Sequence, residues 1–171
     1  LRLAYNKAAI AIGVAKGSLE VFADIAKNKI PMLTSASLAN RGIAQYRMGV
    51  AEATYRASRA WLMESMTAVE DELTGNSDLP GAKTTQDARL ACTHAANECM
   101  KVVDLLHNTA GTTGMRTFSP LERKLRDSHG AATHRWVAHP LYEDLGKILL
   151  GIEAGPEFAG GTGAPVLPGP K

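Results

Sequence analysis

SPLERKLRDSHGAATHRWVAHPLYEDLGKILLG, residues 119–151, carries the sharpest local signals in this chain. Ser119 is placed to cap a helix, Pro120 suits the first helical position because no backbone N–H is needed there, and Glu122 lies three residues after the cap. Three of the five histidines fall in this stretch. The spacing predicts Arg123, Arg126, Asp127, His129 and His134 on one short helix running to about Ala138. His139 precedes Pro140, and the residue before a proline is pushed out of the helical region, so the helix should end there. Leu141–Leu150 then forms a short closing helix, with Gly151 as its C-cap.

Upstream of Ser119 the pattern is helical throughout. From Leu1 to about Asn28 the residues are Ala- and Gly-rich and apolar on more than one face, as in a largely buried helix. Gly13 and Gly17 share a face where a neighbouring helix can approach closely. Pro31 ends that helix and residues 32–37 connect it to a second, about Leu38–Leu73, with Ile43, Met48, Val50, Ala53, Ala57, Trp61, Met66 and Val69 as its expected inward positions. Thr74, Gly75, Asn76, Ser77, Asp78, Pro80 and Gly81 make the clearest loop. Thr84 with Asp87 marks a third helix start, and Ala88, Ala91, Ala95, Cys99, Val102, Val103 and Leu106 recur at helical spacing to about Thr109. His94 and Glu98 are expected as a surface pair on it. Ala110–Gly114 is a loop. No strand, repeat or alternating pattern appears, so the expected architecture is all-α: an antiparallel four-helix bundle with a short fifth helix, over residues 1–151, and an irregular Gly/Pro-rich tail over 152–171.

Composition narrows the function classes. A chain of 171 residues with 45% apolar and 21% charged residues suits one globular domain. Its 19 basic and 17 acidic residues leave a net charge of only +2, no electrostatic footprint for nucleic acid or an anionic membrane, and at 5% aromatic residues there is little to stack bases on. No apolar run reaches membrane-spanning length and no signal peptide opens the chain. Cys92 and Cys99, seven apart on a helix, are separated by roughly 10 Å of rise, too far for a disulfide. They read as small buried hydrophobes, which fits a reducing, cytoplasmic location. The chain starts at Leu1, already inside a helical pattern.

The residues rule several chemistries out. A di-iron bundle needs Glu-x-x-His, and no glutamate here has a histidine three positions later. There is no His-Glu-x-x-His zinc helix, and His129 and His134 project on different helical faces. No metal site is expected. Ser128 beside His129 does not make a nucleophile–base pair, because adjacent helical residues do not face one another. The loop Gly111–Gly114 leads to backbone N–H groups near Arg116 and Arg123, where an anion can be held. For Arg126-Asp127 the competing reading is a partly buried ion pair between helices.

The run LLHNTAGTTGMRTFSPLERKLRDSHGAATHRWVAHPLYEDLGKILLG, residues 105–151, resembles the C-terminal helical domain of the acyl-CoA dehydrogenase superfamily. Within that superfamily it is similar to the branch of flavin-dependent two-component monooxygenases that hydroxylate phenols and related substrates. The matching elements are Ala110-Gly111, Ser119-Pro120-Leu121-Glu122-Arg123, Arg126-Asp127, His134, Tyr142-Glu143 and Leu149-Leu150-Gly151. The resemblance implies a flavin, FMN or FAD, held between this bundle and a β-domain, and subunits assembled as a tetramer through these helices. It also implies a small organic substrate and, in the two-component branch, a separate flavin reductase. The present chain would then be one third to one half of a family enzyme and inactive alone. The implied cofactor contacts are Ala110, Gly111, Thr112, Thr113, Arg123 and Arg126, and the implied catalytic residue is His134, as base or hydrogen-bond donor beside the flavin. The dehydrogenases' catalytic glutamate has no counterpart, since the corresponding segment is Thr133-His134-Arg135-Trp136; imidazole titrates near neutrality and suits the hydroxylating branch. Lys29 stands where many dehydrogenases carry an arginine that reaches a neighbouring subunit's flavin pyrophosphate. An acyl-CoA dehydrogenase domain and a non-catalytic helical assembly module are the competing functions.

Overall fold

The computed structural model describes residues 1–75 and 78–152. Asn76, Ser77 and the Gly/Pro-rich tail from residue 153 lie outside the described residues. Five helices account for the described fold: α1 (Arg2–Asn28), α2 (Gly42–Thr74), α3 (Ala82–Ala110), α4 (Pro120–Ala132) and α5 (Pro140–Leu149), with 3₁₀ turns at Leu38–Asn40 and Gly111–Thr113. The expected all-α bundle with a short fifth helix is what the chain forms.

Small residues at helical spacing make the centre. On α1, Ala4, Ala8, Ala11, Ala15, Ser18, Phe22 and Ala26 are buried. Their steps of four and three residues keep one narrow face turned inward. On α3, Ala88, Cys92, Ala95, Cys99, Val102, Leu106 and Ala110 are buried with the same steps, and Ala91, Ala96, Asn97 and Val103 widen the buried face. The two helices run parallel through the middle, with the C-terminal ends held together where the Lys29 ammonium donates to the Ala110 carbonyl at 2.6 Å. Alanines on both faces let their axes approach closely, while Phe22, Leu106 and Leu121 fill the space between layers.

α2 packs antiparallel to α3, and three contacts fix the register. Glu72, near the end of α2, accepts from the Gly81 N–H at 2.6 Å and from the Thr84 hydroxyl at the start of α3. Midway, the rings of Trp61 and His94 lie 5.1 Å apart. At the far end Arg47 donates to the Thr109 hydroxyl at 3.3 Å. α4 packs on the other side of α1 and α3, tied to α3 by a 2.8 Å contact between His129 Nε2 and Asp104.

Several expectations require correction. The inward face of α2 is Ala44, Ala51, Ser58, Leu62, Ser65 and Val69. Ile43, Tyr46 and Val50 are 50%, 69% and 39% exposed, and Ala53 and Ala57 are exposed as well. Of the positions expected inward, Val69 is buried and Met48, Trp61 and Met66 are half-buried against the core, while the fully inward stripe is the one of smaller residues that fits against alanine-lined α3. Residues 38–40 form a separate 3₁₀ turn before α2 starts at Gly42. The third helix begins at Ala82 with Gly81 as N-cap, so Thr84 lies inside its first turn and serves Glu72 instead. The His94 ring packs at a tilt of 56° against Trp61 and Glu98 pairs with Lys101 at 2.6 Å, so the expected His94–Glu98 pair does not form. A side chain at Gly17 would meet the Lys124 ammonium end, whereas one at Gly13 would enter open space; the close approach occurs at Gly17 alone.

Both thiols are free and buried, and desolvation pushes each up to about 12, so they behave as core atoms. No helix among the described residues is long and apolar enough to cross a membrane.

The α2 register has a direct test. Ala51→Leu, at a fully buried position, should overpack the α2–α3 seam and cost about 1–3 kcal/mol in chemical denaturation. Ala53→Leu, two residues away on the exposed stripe, should change stability by less than about 0.5 kcal/mol. The reverse order would contradict the packing.

Candidate functional site

α4 starts as its sequence dictates. Ser119 Oγ accepts from the Leu121 N–H at 3.3 Å and Pro120 occupies the first turn. The reciprocal half of the capping box is missing, because the Glu122 carboxylate turns to Arg126, which donates from Nε at 2.8 Å and from an Nη at 3.0 Å. This fork holds the Glu122 carboxyl below its ordinary pKa. Arg123 pairs with Asp127 at 3.5 Å. All four charges are matched within one helix, and Asp127 is exposed. The partly buried inter-helix ion pair expected of Arg126-Asp127 is therefore absent; helical neighbours four apart satisfied these groups first.

α4 ends at Ala132, six residues earlier than the sequence pattern predicts, and its C-cap is Thr133. His134 consequently stands on a turn rather than on the helix. Its N–H donates to the Ala131 carbonyl at 3.3 Å and its carbonyl accepts from the Val137 N–H at 2.9 Å. The Trp136 N–H donates to His134 Nδ1 at 3.4 Å. That contact assigns the proton of the neutral ring to Nε2, the nitrogen left free. The His134 pKa is lowered by partial burial, then by the positive charges of Lys7 on α1 and of Arg135. His139, expected outside the helical region, has φ −48° and ψ −38° and leads straight into α5. The turns of residues 133–138 leave it no extended stretch to join, and the bias against helical geometry before proline is overridden. α5 closes as expected: Gly151 has φ +71°, and the Ile152 N–H reaches the Lys147 carbonyl at 2.8 Å.

The other cluster lies at the opposite end of the bundle. Ala110 is buried at the end of α3, and Gly111 has φ +59° and ψ −145°, a backbone conformation open to glycine. Gly114 is buried, and a Cβ there would press on His107 at 3.2 Å. Thr112 and Thr113 line an open depression of about 890 Å³ together with Asn28, Lys29 and Arg116. Arg123 and Arg126 do not line it. Lys29 uses one donor on the Ala110 carbonyl, a cation at the negative end of the α3 dipole, and its backbone carbonyl accepts from the buried Leu38 N–H at 2.7 Å. At roughly 1.5 Å per residue, α1 spans about 33 Å from Lys7, beside His134, to Lys29. The structure thus does not bring His134 and Ala110–Thr113 together.

Two residues that sequence reasoning passed over matter here. Lys7 sits on a helix whose pattern reads only as core, and nothing local links it to His134. Asn97 is 1% exposed and donates to the Thr93 carbonyl at 2.7 Å and the Val137 carbonyl at 2.8 Å. A signal existed: an asparagine directly after Ala95 and Ala96, on the apolar face of α3, demands partners.

With this geometry in hand, relatives are informative. Residues 5–139 match the family described as acyl-CoA dehydrogenase, C-terminal domain, and the chain belongs to that family. Among characterised proteins it is 30% identical over 149 residues to an indole-3-acetate monooxygenase of Acinetobacter baumannii, covering 87% of this chain and 38% of that protein. It is 28% identical over 151 residues to the oxygenase component of p-hydroxyphenylacetate 3-hydroxylase from Acinetobacter baumannii, covering 86% and 35%. The chain therefore spans well under half the length of these relatives. The fold matches that of the HsaA monooxygenase from M. tuberculosis, with a TM-score of 0.76 at 18% identity, over 91% of this chain and 39% of that one. XiaF from Streptomyces sp., solved with FADH2 and glycerol, matches with a TM-score of 0.78 at 19% identity, over 88% and 38%.

The His134 environment predicts its titration. Its imidazole proton-resonance midpoint should lie below the ordinary histidine value, and Lys7→Gln should raise it. A depressed folded pKa means that the unfolded chain takes up the proton first. Stability from this group is then full above the unfolded pKa and declines as pH falls through the folded one. A midpoint above the ordinary value would contradict the placement of Lys7.

Proposed function

We propose that this chain is the C-terminal helical domain of a flavin-dependent monooxygenase that uses reduced flavin and O₂ to hydroxylate an aromatic or similar organic substrate. The observation that carries the reading is the His134 turn: a partly buried imidazole just after α4, its pKa lowered by burial and then by the charges of Lys7 and Arg135, with no carboxylate in its own segment. α-Proton abstraction by a dehydrogenase of this superfamily relies on a carboxylate base, and Thr133-His134-Arg135-Trp136 offers none. The names of the relatives point the same way.

The residues suit a flavin in two separate places. At the His134 end, Nε2–H is a hydrogen-bond donor, and Lys7 and Arg135 make the surroundings favourable to an anion such as a phenolate or an anionic reduced ring. With Nδ1 taken up by Trp136, donation fits His134 better than service as a base. At the far end, Lys29, Arg116 and the Thr112 and Thr113 hydroxyls have the donors that phosphate oxygens accept from, and the left-handed Gly111 keeps the backbone bare beside them. Because α1 holds these ends about 33 Å apart, we assign them to different flavins, one completed by the β-domain of the same polypeptide and the other by a further copy. A homotetramer and a separate flavin reductase follow from the reading, as does activity only in a longer polypeptide in which residues 1–151 form the bundle. When bound, the reduced flavin supplies the oxygen-activating chemistry; this chain orients, donates and excludes water. Ala110 would set the loop against the cofactor, whereas Arg123 and Arg126, matched by Asp127 and Glu122, would shape α4 more than grip the flavin.

In the full-length protein with reduced flavin and an external reductase, His134→Ala should lower hydroxylation by about 10²–10⁴-fold while flavin absorbance persists. An unchanged rate would remove His134 from the chemistry. Bleaching by an acyl-CoA without oxygen would favour the dehydrogenase, and absence of any flavin response would favour the assembly module. Separately, Lys29→Gln with Arg116→Gln should weaken flavin retention in gel filtration yet leave turnover near normal at saturating flavin.

A further inference from the structure

Building on the reading of His134 as the group beside the reacting ring, we propose that Asn97 is its positioning residue: from within α3, the Asn97 amide ties down the Val137 carbonyl and so fixes the turn that presents the imidazole.

The geometry is a short relay. Asn97 is 1% exposed and Val137 is fully buried. One amide nitrogen serves two carbonyls forty residues apart in sequence, Thr93 at 2.7 Å on its own helix and Val137 at 2.8 Å on the turn. Both partners are acceptors, so the amide orientation is fixed; the flipped form would set its oxygen against two carbonyl oxygens. Val137 in turn donates its N–H to the His134 carbonyl at 2.9 Å. Movement of Val137 is therefore movement of His134.

The cost of the arrangement argues for its purpose. Burying an amide costs on the order of 1–3 kcal/mol for each group left unpaired, and Asn97 Oδ1 has no partner among the described protein groups. Asn97 borders a depression lined by Met100, His129, Ala132, Thr133 and Ala138, and a leucine there would carry no unpaired amide oxygen. What a leucine lacks is the donor to Val137. Val137 packs into the core, Trp136 lies against it with Arg89 of α3 5.9 Å from its ring, and Thr133 bonds back to the His129 carbonyl; the Asn97 amide adds a directed hydrogen bond from α3 to the backbone of this segment. α4 has stopped at Ala132 and α5 does not begin until Pro140, so an anchor from the rigid centre of the bundle helps to make the loop a fixed mount.

The test is carried out by NMR on the full chain, without flavin. Asn97→Leu keeps the bulk and removes the donor; Asn97→Ala removes both; Val103→Ala hollows the core on the same helix and serves as the control. Both Asn97 variants should speed hydrogen exchange of the Val137 amide at least tenfold and move the His134 titration midpoint up toward the ordinary histidine value, while the Val102 and Val103 amides of Asn97→Leu stay protected. Val103→Ala should leave the His134 midpoint where it was. The proposal is overturned if Val137 exchange and the His134 midpoint are unchanged in the Asn97 variants, or if Val103→Ala moves them equally. Loss of the folded spectrum in both Asn97 variants would overturn it too, by making Asn97 a requirement of the whole fold rather than of the turn. Neither readout depends on flavin, so a protein that never binds flavin would refute the functional reading and leave this result intact.

Discussion

The close approach of α1 and α3 is the constraint on which the remaining architecture rests. Two long helices side by side come closest when the facing side chains are short. Ala4, Ala8, Ala11 and Ala15 on one, with Ala88, Ala91 and Ala95 on the other, meet that condition. Each alanine buries little area, so stabilisation comes from many small contacts at crystal-like density rather than from a few large side chains. The same logic selects the inward face of α2. Its residues Ala44, Ala51, Ser58 and Ser65 recur every seventh position and seat against α3, which leaves Ile43, Tyr46 and Val50 outside.

A centre packed in this way is rigid, and its two ends become separate platforms. At one end the Lys29 ammonium binds the C-terminus of α3 beside the positive-φ turn at Gly111, and Thr112, Thr113 and Arg116 line a depression that Lys29 and Asp24 also border. At the other, α4 stops early and the chain crosses from Thr133 to Ala138 in turns. The charges differ in kind at the two places. Lys29 is partly spent on a carbonyl, whereas at His134 burial first, and then the charges of Lys7 and Arg135, lower the imidazole pKa. The two ends lie about 33 Å apart along α1, too far for one small ring system to touch both.

Polar groups inside the bundle divide by how they are satisfied. Ser18 and Thr93 return their hydroxyls to the preceding helical turn, at 2.8 Å and 3.0 Å, and carry no information beyond their own helix. His129 and Asp104 join two helices at the surface. Asn97 reaches from the centre of α3 to the irregular segment after α4, and it leaves one acceptor without a protein partner in doing so. Ser58 on α2 also leaves its buried hydroxyl oxygen without a protein partner, but its side chain, unlike that of Asn97, ties no backbone carbonyl of another segment among the described contacts.

The sequence by itself determined the helical class, the positions of four of the five helices to within a few residues, the buried face of α3, the free thiols, the Ser119 cap, the Gly151 cap and the family resemblance. Each is a local matter, read from steps of three and four or from residues whose backbone preferences are strong. It did not determine which apolar stripe of α2 turns inward, because both have helical period and only the width of the alanine-lined partner chooses between them. It placed Arg123, Arg126 and Asp127 together but not their pairings, which the geometry of one helical turn settled. Tertiary structure alone decided that His134 leaves α4 and that Lys7 faces it from the far end of the sequence. It also decided that Ala110–Thr113 lies about 33 Å away along α1. The reason is physical: capping and periodicity act over about four residues, whereas the approach of Lys7 to His134 joins opposite ends of the sequence and arises only when the helices close upon one another.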